Sequence, residues 1–147
     1  MALAFRNLSI TPDEPVSDWP TEAVQIALER GDLADWHRIG AEMQADPWGK
    51  TARQVEEVLS YSRPYGVAEA MELTLSRARA KAEERERMAV AMEIRAAVGR
   101  SGLSRAEFAS RIGTSASRLS TYASGKVTPS ATLMLRIRHV ADRASTS

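Results

Sequence analysis

Cysteine is absent from the 147 residues. That removes disulfides, thiolate nucleophiles and cysteine-bound metal at once. Only two histidines occur, His37 and His139, far apart in the chain, so a histidine-rich metal site has no ligands to draw on. No apolar run is long enough to span a bilayer, and the N-terminus has Arg6 but no apolar core of signal-peptide length. Glycine-rich phosphate loops and carboxylates grouped as in an active site are missing too. The expectation is a chain with no membrane segment, no enzymatic activity, no cofactor and no metal. A cytoplasmic location fits the lack of cysteine.

What is present is charge, unevenly placed. Residues 1–65 hold six Lys/Arg against eleven Asp/Glu, a net of −5. Residues 66–87 hold five of each, and residues 88–147 hold nine Lys/Arg against three Asp/Glu, a net of +6. An acidic front and a basic back suggest separate jobs, with the basic part turned to a polyanion.

Periodicity predicts an all-α chain. Residues 1–19, with Pro12, Pro15 and several acidic residues, are expected to form a flexible arm, which Leu3, Phe5, Leu8 and Ile10 would dock only loosely. Residues 20–82 form an N-terminal helical region for dimerisation or partner binding. Its first helix begins at Pro20 or Thr21, buries Ala23, Val24, Ala27 and Leu28, and stops at Gly31. A second runs from Leu33 to Ala45 with Leu33, Trp36, Ile39, Gly40 and Met43 on one side. A third runs from Thr51 to Tyr61 on Val55, Val58 and Leu59, and ends at the turn Arg63-Pro64-Tyr65-Gly66. Trp19, Trp36 and Trp48 all lie here, which points to a packed miniature core.

From Val67 no proline or glycine interrupts the chain until Gly99. Val67, Met71, Thr74, Leu75, Ala78 and Ala82 form one apolar stripe, the segment Lys81–Arg87 is almost wholly charged, and a stripe resumes at Met88, Val90, Ala91, Ile94 and Val98. This reads as one long helix, solvated in the middle; a break near Glu83 is the alternative. The boundary between the halves falls at residue 83, and residues 83–143 form the second domain. After Pro129, Ser130 caps a closing helix that runs to about Asp142, with Leu133, Leu135, Ile137 and Val140 inward, Arg136, Arg138 and Arg143 outward, and His139 at the surface. Residues 144–147 are expected to be a frayed tail.

The stretch Leu103–Pro129 organises the rest. Ser104 precedes Glu107 by three positions, the spacing of a capping box. Phe108, Ala109 and Ile112 then line an inner face. Gly113 ends that helix where a left-handed backbone is needed, Ser115 caps the next, and Leu119 and Tyr122 point inward. Ser124-Gly125-Lys126 closes it. Two short helices about a glycine turn make a helix-turn-helix. On the second, the exposed positions nearest the cap are Ala116, Ser117 and Arg118, with Thr121 one turn on; these are the candidates for reading base edges. The candidates for holding phosphates are the helix start at Ser104 and Arg105, then Ser115, Ser120, Ser124, Lys126, Thr128 and Ser130.

Gly113-Thr114-Ser115, Leu119-Ser120-Thr121-Tyr122, Ser124-Gly125-Lys126 and Pro129 resemble the motif of the Xre/Cro/C1-type helix-turn-helix family, over about residues 88–143. The resemblance implies a lambda-repressor-like domain that binds double-stranded DNA. It places the family's base-reading positions on Ala116, Ser117 and Thr121, and a backbone contact on Arg105. It also shows a departure. Many members pair a glutamate, where this chain has Ala123, with an arginine, where this chain has Val98, so packing is expected in place of that ion pair. The function implied is a sequence-specific transcriptional regulator, a repressor working as a homodimer on a palindrome. Two alternatives stay open: an antitoxin whose front half binds a toxin while the back half represses its own operon, and a phage-type immunity repressor.

Overall fold

The computed structural model describes residues 3–145. Seven α-helices and a short 3₁₀ turn at Val16–Asp18 account for the regular structure, and the described residues contain no strand. The helices are α1 (Thr21–Arg30), α2 (Leu33–Ala45), α3 (Lys50–Leu59), α4 (Val67–Ser101), α5 (Arg105–Ile112), α6 (Ala116–Ala123) and α7 (Ala131–Ser145). The chain divides into two compact units, one ending at Ala82 and the other starting at Glu83, and α4 contributes residues to both.

In the first unit the α1 face forms as its spacing predicts. Ala23, Val24, Ala27 and Leu28 are buried together with Ile39 and Met43 of α2 and Val55, Val58 and Leu59 of α3. Each fully buried aliphatic side chain contributes roughly 1.5–3 kcal/mol against exposure, which short helices need because they are marginal alone. The start of α2 is fixed by a capping box. The Asp32 carboxylate accepts from the Asp35 amide at 3.1 Å, and the Asp35 carboxylate accepts from the Asp32 amide at 3.0 Å. The bond from the Asp35 amide, first, then that residue's side chain, hold the Asp32 carboxyl below its ordinary range.

Residues 1–19 correct an expectation in their described part. The arm is docked. Phe5, Ile10 and Val16 are buried, and Trp19 is wholly so. Phe5 meets Trp19 edge-on with ring centres 4.9 Å apart. Arg38 of α2 pins the arm from outside: it donates to the carbonyls of Pro12 at 2.8 Å and Glu14 at 3.1 Å, and its guanidinium lies 5.1 Å from the Trp19 ring centre. Pro12 sits in a turn closed by the Glu14 amide on the Thr11 carbonyl, Pro15 precedes the 3₁₀ turn, and four large apolar side chains decide where the arm goes.

The three tryptophans divide. Trp19 donates its indole N–H to the Glu14 carbonyl at 3.0 Å, and Trp36 donates to the Ala27 carbonyl at 2.9 Å, so both satisfy the one polar atom that burial would strand. Trp48 is 45% exposed and is not a core residue; it lies on the surface with the Arg79 guanidinium 5.9 Å from its ring centre. Leu33, expected inward, is 62% exposed at the first position of α2.

Helix α4 is continuous through Glu83 and through Gly99, and ends at Ser101. Exposed helix interior of Ala, Glu, Arg and Lys needs little tertiary support, because these residues have high intrinsic propensity. Within the second unit the core joins Ile94 and Ala97 of α4, Phe108, Ala109 and Ile112 of α5, Leu119 and Ala123 of α6, and Ile137 and Ala141 of α7. Met88 and Leu135 are corrections: both are exposed, at 43% and 63%. For α7 the buried or half-buried positions 133/134, 137 and 140/141 repeat every three to four residues, which leaves 135 on the opposite side. Helix α7 continues to Ser145, so the frayed tail does not begin at Ala144; residues 146 and 147 lie outside the described residues. No helix among the described residues is long and apolar enough to cross a membrane.

Candidate nucleic-acid interface

Two short helices and their turn position the candidate residues. Ser104 caps α5 by accepting from the Glu107 amide at 3.1 Å. The reciprocal half of the expected capping box is not made: the Glu107 carboxylate turns instead to Arg111, one turn along, at 3.0 Å. Gly113 has φ +82° and ends α5, with the Thr114 amide donating to the Ala109 carbonyl at 2.9 Å. A side chain there would strain the backbone, which is why glycine occupies the turn. Ser115 then caps α6 by accepting from the Arg118 amide at 3.1 Å. Leu119, fully buried, and Ala123 anchor α6 to the core and so fix which face is left outside.

That outer face carries Ala116, Ser117, Arg118 and Ser120, all exposed, and Thr121, half-buried. Arg105, at the start of α5, reaches across to the Ser120 hydroxyl at 3.5 Å, so these two phosphate candidates adjoin. Lys126 follows α6 in a turn where Gly125 has φ +82° and the Lys126 amide donates to the Thr121 carbonyl at 3.1 Å. Thr128 and Ser130 are exposed on the way into α7, where Ser130 accepts from the Leu133 amide at 3.1 Å.

Hydrogen-bond direction decides what each hydroxyl has left to offer. Ser104 and Ser115 use a lone pair as helix caps, so their protons remain available to a phosphate oxygen; Ser130 caps in the same way, and its hydroxyl also bonds that of Thr132 at 3.2 Å, where either can be the donor. Ser124 donates its proton to the Thr121 carbonyl at 3.1 Å, and Thr121 donates its own to the Arg118 carbonyl at 2.6 Å. In this arrangement both present lone pairs only. Thr121 can accept from an amino group on a base edge or place its methyl against one, but it has no proton for a base acceptor.

The electrostatics of this unit are those of cations left over. Two of its carboxylates are drawn to arginines: Glu93 to Arg138 at 2.7 Å and Glu107 to Arg111 at 3.0 Å. The Arg138 hydrogen bond, first, and its charge hold the Glu93 carboxyl below the ordinary range and raise Arg138 in turn. By contrast, Arg118 and Lys126 form no side-chain hydrogen bond or ion pair with any described residue, and Arg105 has only the long bond to Ser120. Positive charge with no carboxylate partner is what a phosphate backbone neutralises.

One residue was not found from the sequence. Arg95 of α4 donates to the Ala123 carbonyl at the C-terminal end of α6, a short contact from one helix to another. A guanidinium there meets a free carbonyl and the negative end of the helix dipole. Val98 packs against the core and Ala123 is buried, so the expected replacement of an ion pair by packing holds at those two positions. Arg95, one turn earlier on α4, ties down α6 by a different bond. The signal in the sequence was a lone arginine among Ile94, Ala96 and Ala97, but nothing in its spacing pointed to a backbone carbonyl 28 residues on.

A model of the helix-turn-helix domain family matches residues 73–143. Searches among curated proteins and among solved structures found no match. With two capped helices, the left-handed glycine between them and the shared core all in place, residues 73–143 of this chain are a helix-turn-helix domain, consistent with the Xre/Cro/C1 type that its motif resembles.

Proposed function

We propose that the protein is a cytoplasmic, non-catalytic transcriptional repressor that binds a palindromic duplex as a homodimer. The observation that carries this reading is the outer face of α6, where small side chains are flanked by Arg105, Arg118 and Lys126 without carboxylate partners. α6 lies in the major groove with Ala116, Ser117, Arg118 and Thr121 at base edges. Ser104, Arg105, Ser115, Ser120, Lys126, Thr128 and Ser130 face the backbone and hold the register, and Ser124 joins them by turning its hydroxyl proton from the Thr121 carbonyl to a phosphate oxygen. Small side chains give modest discrimination per half-site, so two half-sites roughly 34 Å apart, or a multiple of that, supply the remainder. Repression follows by occlusion of a promoter.

Binding-site selection from a random duplex pool tests this. The expected product is a short inverted repeat. Equal retention of all duplexes at moderate salt would refute sequence-specific regulation.

A further inference from the structure

Helices α5 and α6 are eight residues each, too short to keep their shape alone, so both depend on how their ends are held. Their first turns are capped by Ser104 and Ser115. Their last carbonyls draw on residues outside the motif as well. At the end of α6 the amides of Ser124, Lys126 and Gly125 donate to the carbonyls of Ser120, Thr121 and Tyr122. The remaining carbonyl of that last turn, on Ala123, accepts from the Arg95 guanidinium of α4. At the end of α5 the Gly113 and Thr114 amides take the carbonyls of Ser110 and Ala109, and Arg136 of α7 reaches that of Ile112 at 3.4 Å. Of these two clamps, the one from Arg95 is the shorter bond, and it acts on the helix that carries the candidate base readers.

The pose of α6 matters because its outer side chains cannot adjust. Ala116, Ser117 and Thr121 are short and have almost no reach of their own. A shift of the helix axis becomes a shift of the contact, and hydrogen bonds weaken steeply with misalignment. A long, flexible cation such as Lys126 can follow a phosphate through the same movement. Inward, Leu119 is the large side chain that α6 buries fully; Tyr122 is half-buried, and Ala123 offers only a methyl. We propose that Arg95 is a positioning residue: by holding the Ala123 carbonyl it fixes the pose of α6, and so sets how sharply the protein tells one duplex from another, without itself touching DNA. The inference rests on the DNA-binding reading above.

Three full-length variants test it. Arg95→Met keeps a long stem and removes the donor, and Arg95→Lys restores a donor and the charge. Glu93→Gln breaks the Glu93–Arg138 pair, a tie from α4 to α7 rather than to α6. Arg95 is exposed, so its replacement opens no hole in the core. Each protein is titrated, over a salt series, with a duplex enriched from a random pool and with a random-sequence duplex. The ratio of the two affinities should fall about fivefold in Arg95→Met, the size of one hydrogen bond, and recover in Arg95→Lys. Glu93→Gln should keep the wild-type ratio. In Arg95→Met the salt slope should be that of wild type, and amide hydrogen exchange in the free protein should quicken at Ser124, Gly125 and Lys126. If Arg95→Met loses helical circular dichroism, Arg95→Gln, shorter and uncharged, replaces it with the same expectation. A salt slope shallower by about 0.9 would make Arg95 a phosphate contact and overturn the positioning role. An unchanged ratio would overturn it too, as would an equal fall in Glu93→Gln, which would mean that any loosening of α4 suffices. Unchanged exchange at the end of α6 would overturn the clamp and leave the regulator standing. A pool that enriches no duplex would overturn the regulator reading and the discrimination role with it.

Discussion

At the scale of single residues, the two kinds of proposed DNA contact differ in what they should do to binding. Arg105→Ala and Lys126→Ala each remove a charge without disturbing a buried group, since both side chains are exposed. Affinity should fall to a similar degree for every duplex, and the slope of log affinity against log salt should become shallower by about 0.9 for each phosphate that is no longer neutralised. An unchanged slope in both variants would remove them from the backbone. Ser117→Ala and Thr121→Ala should instead change preference among operator variants, by roughly 1–3 kcal/mol at one base pair where the contact is good. The Thr121 proton is spent on the Arg118 carbonyl, so Thr121→Val, which keeps the methyl, should preserve preference for thymine at its position. A uniform loss across all operators in these variants would refute the base-reading role.

A pH dependence belongs to this scale too. In the first unit Arg79 holds Glu56 in a two-pronged contact, at 2.7 and 3.2 Å. That hydrogen bonding, with a smaller direct charge effect, lowers the Glu56 carboxyl. A carboxylate with a depressed folded value stabilises the fold above its unfolded value and loses that contribution as the pH falls through the folded one. The Glu56 side chain is half exposed and solvent screens the pair, so the contribution should be about 0.2–1 kcal/mol. Urea denaturation of Glu56→Gln should differ from wild type by that amount at neutral pH and converge with it as the pH falls through the lowered folded-state value of the Glu56 carboxyl. A difference that persists unchanged in acid would mean that the ion pair is not its source.

At the scale of elements, the turn between α5 and α6 depends on backbone shape rather than on packing. A Cβ at Gly113 would lie 3.6 Å from the nearest Arg136 nitrogen, an ordinary contact, so Gly113→Ala should show only the left-handed penalty, about 1–2 kcal/mol. Gly125→Ala carries the same penalty and adds a 2.9 Å approach to the Met88 sulfur, so it should be the more harmful unless that flexible side chain moves. Thermal denaturation of the two variants makes the comparison. Equal, negligible effects would show that neither turn constrains the domain.

What was legible in the sequence follows the same division. Local rules worked where one residue type answers one local need: the serine caps, Gly113, and the inner faces of α1, α3 and α5. They failed where a third element decides. Leu33 has the right period for α2 but lies exposed at the first position of the helix, and Trp48 finds a guanidinium rather than a core. The docked arm was hidden because its prolines and carboxylates look like linker composition, while the residues that fix it, Arg38 and Trp19, lie at its end or beyond. Arg95 was hidden because a bond to a backbone carbonyl leaves no mark on the partner's identity.

At the scale of the whole molecule, the chain holds two buried cores of its own, one closed by Ala82 and the other opening at Glu83, with opposite charge. Residues 1–82 hold nine Lys/Arg against thirteen Asp/Glu, and residues 83–147 hold eleven against six. On the reading proposed here, the acidic unit pairs copies and the basic unit holds DNA. A fragment starting at Glu83 retains every residue of the second core and every proposed DNA contact. It should therefore remain helical and bind duplexes, but as a monomer by light scattering. On a palindromic operator its affinity should fall by ~10²–10⁴-fold, the loss expected when two linked binding events become separate ones. Its salt slope should be about half that of the full chain, because one half-site rather than two releases counterions. A fragment that stays dimeric and keeps the full salt slope would place the pairing surface in the DNA-binding unit and leave the acidic unit without the role assigned to it.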